Sequence, residues 1–230
     1  MRIGLVIYGS LDTLSGGYLY DRKLVEYLHE HGDEVEIISL PWRNYAAHLI
    51  DNLYFRLPSP NVMRSRVHTE QRAKAEVEAV VKKSSSASQL DILIQDELNH
   101  PSLIAANTGS HPYPIISLVH HLRSSEHRPG WQNAFYRVIE RKYLESVDGL
   151  IFNSETTKNV VHQLIENSKP HIVAYPPTDR FGAPISEEEI IGRSKTNPLR
   201  ILFLGNLIER KGLHTLLDAL SFQRGMPFLL

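Results

Sequence analysis

The residues from Ile3 to Ile7 form a short, nearly unbroken aliphatic run that stops at Gly9-Ser10. Apolar runs without polar alternation suit strands covered on both faces, as in parallel sheets. The same punctuation recurs at Val35–Leu40, Asp91–Gln95, Pro114–Val119, Gly149–Phe152 and Ile172–Tyr175. Between these runs lie stretches of helical periodicity. Tyr18–His31 carries Leu24, Val25 and Leu28 on one stripe and meets Gly32 as a stop signal. Pro101–Asn107, Trp131–Ser146 and Glu155–Ile165 read as further helices, as does Val67–Lys83, which is followed by the flexible connector Ser84–Ser88. Tyr45–Ile50 is the best helical piece of an otherwise irregular stretch from Trp42 to Pro60. Strands alternating with amphipathic helices predict βαβ units, hence an α/β fold with a Rossmann-like parallel sheet and helices on both faces.

The texture changes after Tyr175. Residues 176–199 hold Pro176-Pro177, Gly182, Pro184, the acidic triplet Glu187–Glu189 and Pro198, and read as a linker with one short acidic helix. A fresh unit then begins, with a strand at Arg200–Leu204, a helix at Leu213–Leu220 and a strand at Phe228–Leu230. The expected division is one domain over residues 1–175, a linker over 176–199, and an incomplete second β-α-β unit over 200–230.

Composition narrows the classes. A formal net charge of −1 argues against a nucleic-acid binder, which would carry a basic excess. With Cys 0 there is no thiolate metal site and no disulfide framework, and a cytoplasmic address is the simple expectation. The N-terminal apolar run is too short for a signal peptide, and no stretch reaches the roughly 20 apolar residues of a membrane span. Peripheral contact with a membrane is left open by that argument.

Open parallel sheets bind ligands at the carboxyl ends of their strands, so the loops after strands are the places to look. The first is GSLDTLSGG, residues 9–17, where Gly16 and Gly17 at a helix start permit close backbone approach and offer free N–H groups to an anion. It is not the G-x-G-x-x-G dinucleotide fingerprint, and a plain tight turn explains it equally well. Asp96 and Glu97, directly after the third strand, could bind hydroxyls of a polyol substrate, or Asp96 could cap the next helix. His120, His121 and Arg123 follow the fourth strand and offer donors, a proton carrier and an anion ligand. No metal is expected, because no further ligand stands at a suitable spacing. Lastly, Gly205 to Gly212 brings Arg210 and Lys211 to a strand-to-helix turn, a pattern suited to a diphosphate.

Taken in order, Gly16-Gly17 before a helix ending HGDEVEII, His120 after the fourth strand, DGLIFNS at 148–154 and LFLGNLIERKG at 202–212 resemble the family 4 retaining glycosyltransferases of GT-B fold. That resemblance implies two Rossmann-like domains, acceptor on the first and donor on the second. It implies transfer of a sugar from a nucleoside diphosphate sugar to an acceptor hydroxyl, with retention and without a metal or other cofactor. The acceptor class spans polysaccharide, lipid-linked and small-molecule hydroxyls. His120 would contact the donor sugar, although the doublet leaves His121 as the alternative. Gly16, Gly17, Lys211 and Arg210 would approach the donor phosphates, and Asp96, Glu97 and Arg123 stand for the acceptor side.

Two departures stand out. Asn206 occupies the position where the family often has an arginine, and the family's E-x7-E segment would lie beyond Leu230. The expectation is therefore that this polypeptide alone has little or no transferase activity, and that its apolar tail packs on the first domain or associates with another chain. The competing readings are a GT-B nucleotide-sugar epimerase and a non-catalytic module that binds a sugar or a protein.

Overall fold

The computed structural model describes residues 1–54, 90–109, 111–166, 168–177, 184–195, 198–205, 207–223 and 227–229. The helix expected at Val67–Lys83 and the connector at Ser84–Ser88 lie outside them. The chain divides into two compact units, Met1–Pro177 and Thr178–Leu230.

In the first unit, β1 (Arg2–Tyr8), β2 (Glu34–Leu40), β3 (Ile92–Asp96), β4 (Ile115–Val119), β5 (Gly149–Phe152) and β6 (His171–Val173) form one sheet in the order β2-β1-β3-β4-β5-β6. Every pairing is parallel. The helices are α1 (Gly16–Glu30), α2 (Tyr45–Tyr54), α3 (His100–Asn107), α4 (Gly130–Ser146) and α5 (Glu155–Leu164). This is the Rossmann-like α/β sheet that the alternation of runs predicts.

Burial explains why β1 carries no polar alternation. Ile3, Leu5 and Ile7 enter one apolar cluster with Tyr18, Tyr20, Ile94 and Leu118, while Val6 and Tyr8 enter a second with Leu103, Val119, Leu144 and Phe152. Successive side chains point to opposite faces, so a strand covered on both sides must be apolar throughout. Edge strand β2 is covered less completely and keeps charged residues at Glu34 and Glu36.

Helix starts follow local capping. Ser15 accepts the N–H of Tyr18 at the head of α1, and Ser154 accepts that of Thr157 at the head of α5. At the far end of α1, His31 caps the helix and Gly32 takes φ 84.

In the second unit, α6 (Glu187–Ser194) is the acidic helix, capped by Ser186, with its three glutamates in the first turn where the helix dipole favours them. Strands β7 (Leu199–Arg200) and β8 (Phe228–Leu229) pair in parallel around α7 (Leu213–Ser221). The strand expected at Arg200–Leu204 is thus shorter and begins one residue earlier. Its partner β8 is only two residues long, and Leu202 beyond it is 85% exposed.

Candidate functional site

In the first unit, chain order reverses between β1 and β3, the switch point where α/β sheets open a crevice at their carboxyl ends. Three polypeptide segments meet there: the start of α1, the end of β3 and the end of β4.

The N-terminus of α1 supplies main-chain donors. Ser15 Oγ takes the N–H of Tyr18 and the Ser15 carbonyl takes that of Leu19, so helical bonding begins at those two residues. The N–H groups of Gly16 and Gly17 precede the ladder and stand at the positive end of a 15-residue helix. A Cβ placed on Gly17 would lie 3.4 Å from His120 Cδ2. That is an ordinary contact distance, so the helix start lies close beside the imidazole.

His120 is held by its main chain and by its ring. Its N–H donates to Glu97 Oε2 at 2.9 Å, and its carbonyl accepts from Asn153 Nδ2 at 3.0 Å. The imidazole Nε2 lies 2.9 Å from Asp21 Oδ1. A carboxylate only accepts, so Nε2 carries the proton and Nδ1 is the ring nitrogen left for a ligand. Tyr20 packs edge-on against the ring, centroids 5.1 Å apart. The His120 side chain keeps 11% of its surface exposed, whereas that of Asp21 keeps 0%. Burial pulls the imidazole toward its neutral form, but the Asp21 hydrogen bond and the charges of Asp96 and Asp21 outweigh it and hold the pKa above the ordinary histidine value.

Asp96 and Glu97 lie beneath this histidine, both buried. Asp96 Oδ1 accepts the N–H of Leu98, which realises the capping alternative, and Glu97 supports the His120 main chain. Burial, with the Asp21 charge next, pushes the Asp96 carboxyl up to about 7. Burial and the Asp96 charge push Glu97 well above the usual carboxylate range. The expectation set both carboxylates on the acceptor side; here they face inward and shape the histidine site from below.

Among the described residues, one group combines a histidine with two carboxylates closely enough for a metal: Asp21, Asp96 and His120, with ligand atoms within 4.8 Å of one another. The His120 nitrogen in that group already donates to Asp21, and Asp96 Oδ1 already accepts the N–H of Leu98.

A second polar cluster resembles a Ser-His-Asp arrangement. The Ser102 hydroxyl lies 2.7 Å from Asp51 Oδ2, 3.1 Å from His48 Nδ1 and 2.6 Å from the Tyr8 hydroxyl. His48 Nε2 accepts the main-chain N–H of Arg43, so its proton is on Nδ1 and points at Ser102. The serine proton then goes to Asp51, and the histidine cannot act as its base. Arg43 grips both oxygens of Asp51 at 2.6 and 2.7 Å. This is an internal brace joining β1, α2 and α3.

The remaining expected residues fall elsewhere. His121 is exposed. Arg123 lies over the rings of Tyr45 and Tyr136, 5.1 and 4.8 Å from their centroids, with buried Glu140 close by. That stacking absorbs its charge among side chains of α2 and α4. In the second unit, Glu209–Lys211 form a 3-10 turn and Gly212 takes φ 70 at the head of α7, a left-handed conformation that favours glycine. The Lys211 stem passes over Gly205, whose added Cβ would lie 3.7 Å from Cγ and Cδ. Asn206 and the Arg210 side chain lie outside the described residues.

Asp21 was not among the sequence expectations. Its signal was present: it stands three residues after Tyr18 and three before Leu24, on the core stripe of an otherwise amphipathic helix. A lone acid on that stripe must find a buried partner.

A parallel sheet with a helix N-terminus and a histidine converging at its switch point defines a Rossmann-like domain. Residues 20–179 match the family Glycosyltransferase Family 4. The chain belongs to that family and carries a glycosyltransferase-type N-terminal domain. No curated protein matches it. Among the described residues, no helix is long and apolar enough to cross a membrane.

Proposed function

We propose that this chain takes part in transferring a sugar from a nucleoside diphosphate sugar to an acceptor hydroxyl, with retention of anomeric configuration. The observation that carries the reading is the approach of Gly17, at the N-terminus of α1, to the His120 ring. Free main-chain N–H groups and an imidazole side by side suit an anionic donor whose sugar lies against the histidine. In the transfer, the bond from the anomeric carbon to the diphosphate oxygen breaks and a bond to the acceptor oxygen forms on the same face. The acceptor proton leaves with the diphosphate. Positive helix ends and cations stabilise the charge that develops on the leaving group, so no metal is required.

The second unit supports the same reading by itself. Lys211 stands one residue before Gly212 and the head of α7, where a cation and unpaired N–H groups occur together. The acceptor is an alcohol of a glycan, lipid-linked or small-molecule class.

Calorimetric titration of the chain with UDP, GDP, ADP, CDP and dTDP tests the proposal. Binding of one of them, weakened about tenfold or more by Lys211→Ala or His120→Ala, is the expected result. Failure of all five to bind would sink it. Release of free sugar or its epimer from a bound donor, without acceptor, would favour an epimerase instead.

A further inference from the structure

We infer that Asp21 is a positioning residue for His120, fixing the ring so that Nδ1 faces the ligand and the imidazole serves as a hydrogen-bond donor rather than a base. Nothing in the order of sequence motifs assigns a role to Asp21, and this role rests on the proposed donor site. Three observations converge on it. Asp21 is fully buried in α1, on the turn directly after the helix N-terminus that faces the same histidine. Its Oδ1 takes the proton of His120 Nε2 at 2.9 Å, whereas its Oδ2 is buried without a hydrogen-bond partner. The carboxylate is thus committed to the imidazole and to little else.

The surroundings define the electrostatics. Tyr20 and Asp21 face the ring from α1, Asp96 and Glu97 from the end of β3. Burial holds the Asp96 and Glu97 carboxyls above their usual range, and Asp21 is the carboxylate hydrogen-bonded to the ring. With Nε2 spent on Asp21, a protonated ring offers Nδ1–H outward. Such a group donates to a phosphate oxygen or a sugar hydroxyl and cannot accept an acceptor proton. Helix N-terminus and imidazolium then act together on one anion, and Asp21 couples them because it belongs to the same helix.

Nuclear magnetic resonance of the histidine rings, on the 230-residue chain labelled at histidine, tests the inference without requiring turnover. His120→Gln assigns the resonance. In the unaltered protein, His120 is expected to titrate above 6.5 and, once neutral, to carry its proton on Nε2. Asp21→Asn should move the midpoint to lower pH and weaken binding of the nucleoside diphosphate found by calorimetry about tenfold near pH 7. The loss should shrink at low pH, where the ring is protonated without help, a recovery that a merely structural defect would not show. A neutral ring with its proton on Nδ1, or an unchanged midpoint in Asp21→Asn, would overturn the inference. The tautomer is read on the unaltered chain, so the test stands even if the variant does not fold. If no nucleotide binds but the midpoint moves, the transferase reading fails and the positioning role of Asp21 remains. If nucleotide binds and the midpoint stays, the reverse holds.

Discussion

Two buried polar clusters sit in the first unit, and they differ in how their hydrogen bonds are spent. Around Ser102 the carboxylate is fully engaged: the hydroxyl donates to Asp51 and accepts from His48 and Tyr8, and Arg43 holds both Asp51 oxygens, leaving Arg43 Nε as the unpartnered atom. Around His120 the network stays open, with Asp21 Oδ2 and Asp96 Oδ2 both buried without partners. The pKa shifts follow the same divide. Burial raises Asp51, but bonds from His48, Ser102 and Arg43 overcome it and pull the carboxyl below its usual value. Burial prevails at Asp96 and Glu97, which are raised. A satisfied network stabilises a fold, whereas an underspent one stores charge for a ligand.

The largest expected effect lies in the closed cluster. Asp51→Ala should destabilise the protein by about 3 kcal/mol, the lower end for breaking a buried ion pair because Arg43 retains some access to water. Urea unfolding at pH 7 measures it, and a loss below about 1 kcal/mol would deny that the cluster is a brace. Ser102→Ala comes next at about 1–3 kcal/mol, since Asp51, His48 and Tyr8 each lose a partner.

The open cluster should respond in the opposite sense. A raised carboxyl contributes stability that is full below its unfolded value and is lost as pH rises through its folded value, here about 7 for Asp96. The raised His120 imidazole has the same sign. Asp51, being lowered, contributes stability above its unfolded value that is lost as pH falls through its folded one. Glu97→Gln removes one charge yet keeps an acceptor for the His120 N–H, so it should stabilise the protein by about 1 kcal/mol at pH 8. That gain corresponds to roughly 2–4 °C in melting temperature. It should fade at pH 4, where the pair is protonated anyway; calorimetric scans at the two pH values would expose a uniform change, which contradicts this sign. The smallest effect belongs to Gly17→Ala. An added Cβ there meets His120 Cδ2 at 3.4 Å, an ordinary contact, so thermal unfolding should show a gain of about 0.5 kcal/mol from helix propensity, and a loss of stability would contradict it.

Much of this was readable before any coordinates. β1 and β4 announce themselves because a strand covered on both faces is predominantly apolar, and the one polar residue inside β4, Ser117, is bonded to the Tyr143 hydroxyl. The head of α1 is legible in Ser15-Gly16-Gly17, and His120 in its place after a strand. The inward turn of Asp96 and Glu97 was not, because the same dipeptide can point outward to hydroxyls or back to cap a turn. Arg123 looked like an anion ligand until two rings, one of them from α2, closed around it.

The sequence by itself determined the alternating α/β order, the helix caps and the glycine-marked turns, since each depends on residues within a few positions of one another. Only the tertiary structure decided which polar groups meet. Asp21 and His120 stand 99 positions apart, and Ser102 and Asp51 stand 51. The parallel crossovers bring both pairs together, and burial then fixes which group keeps its charge.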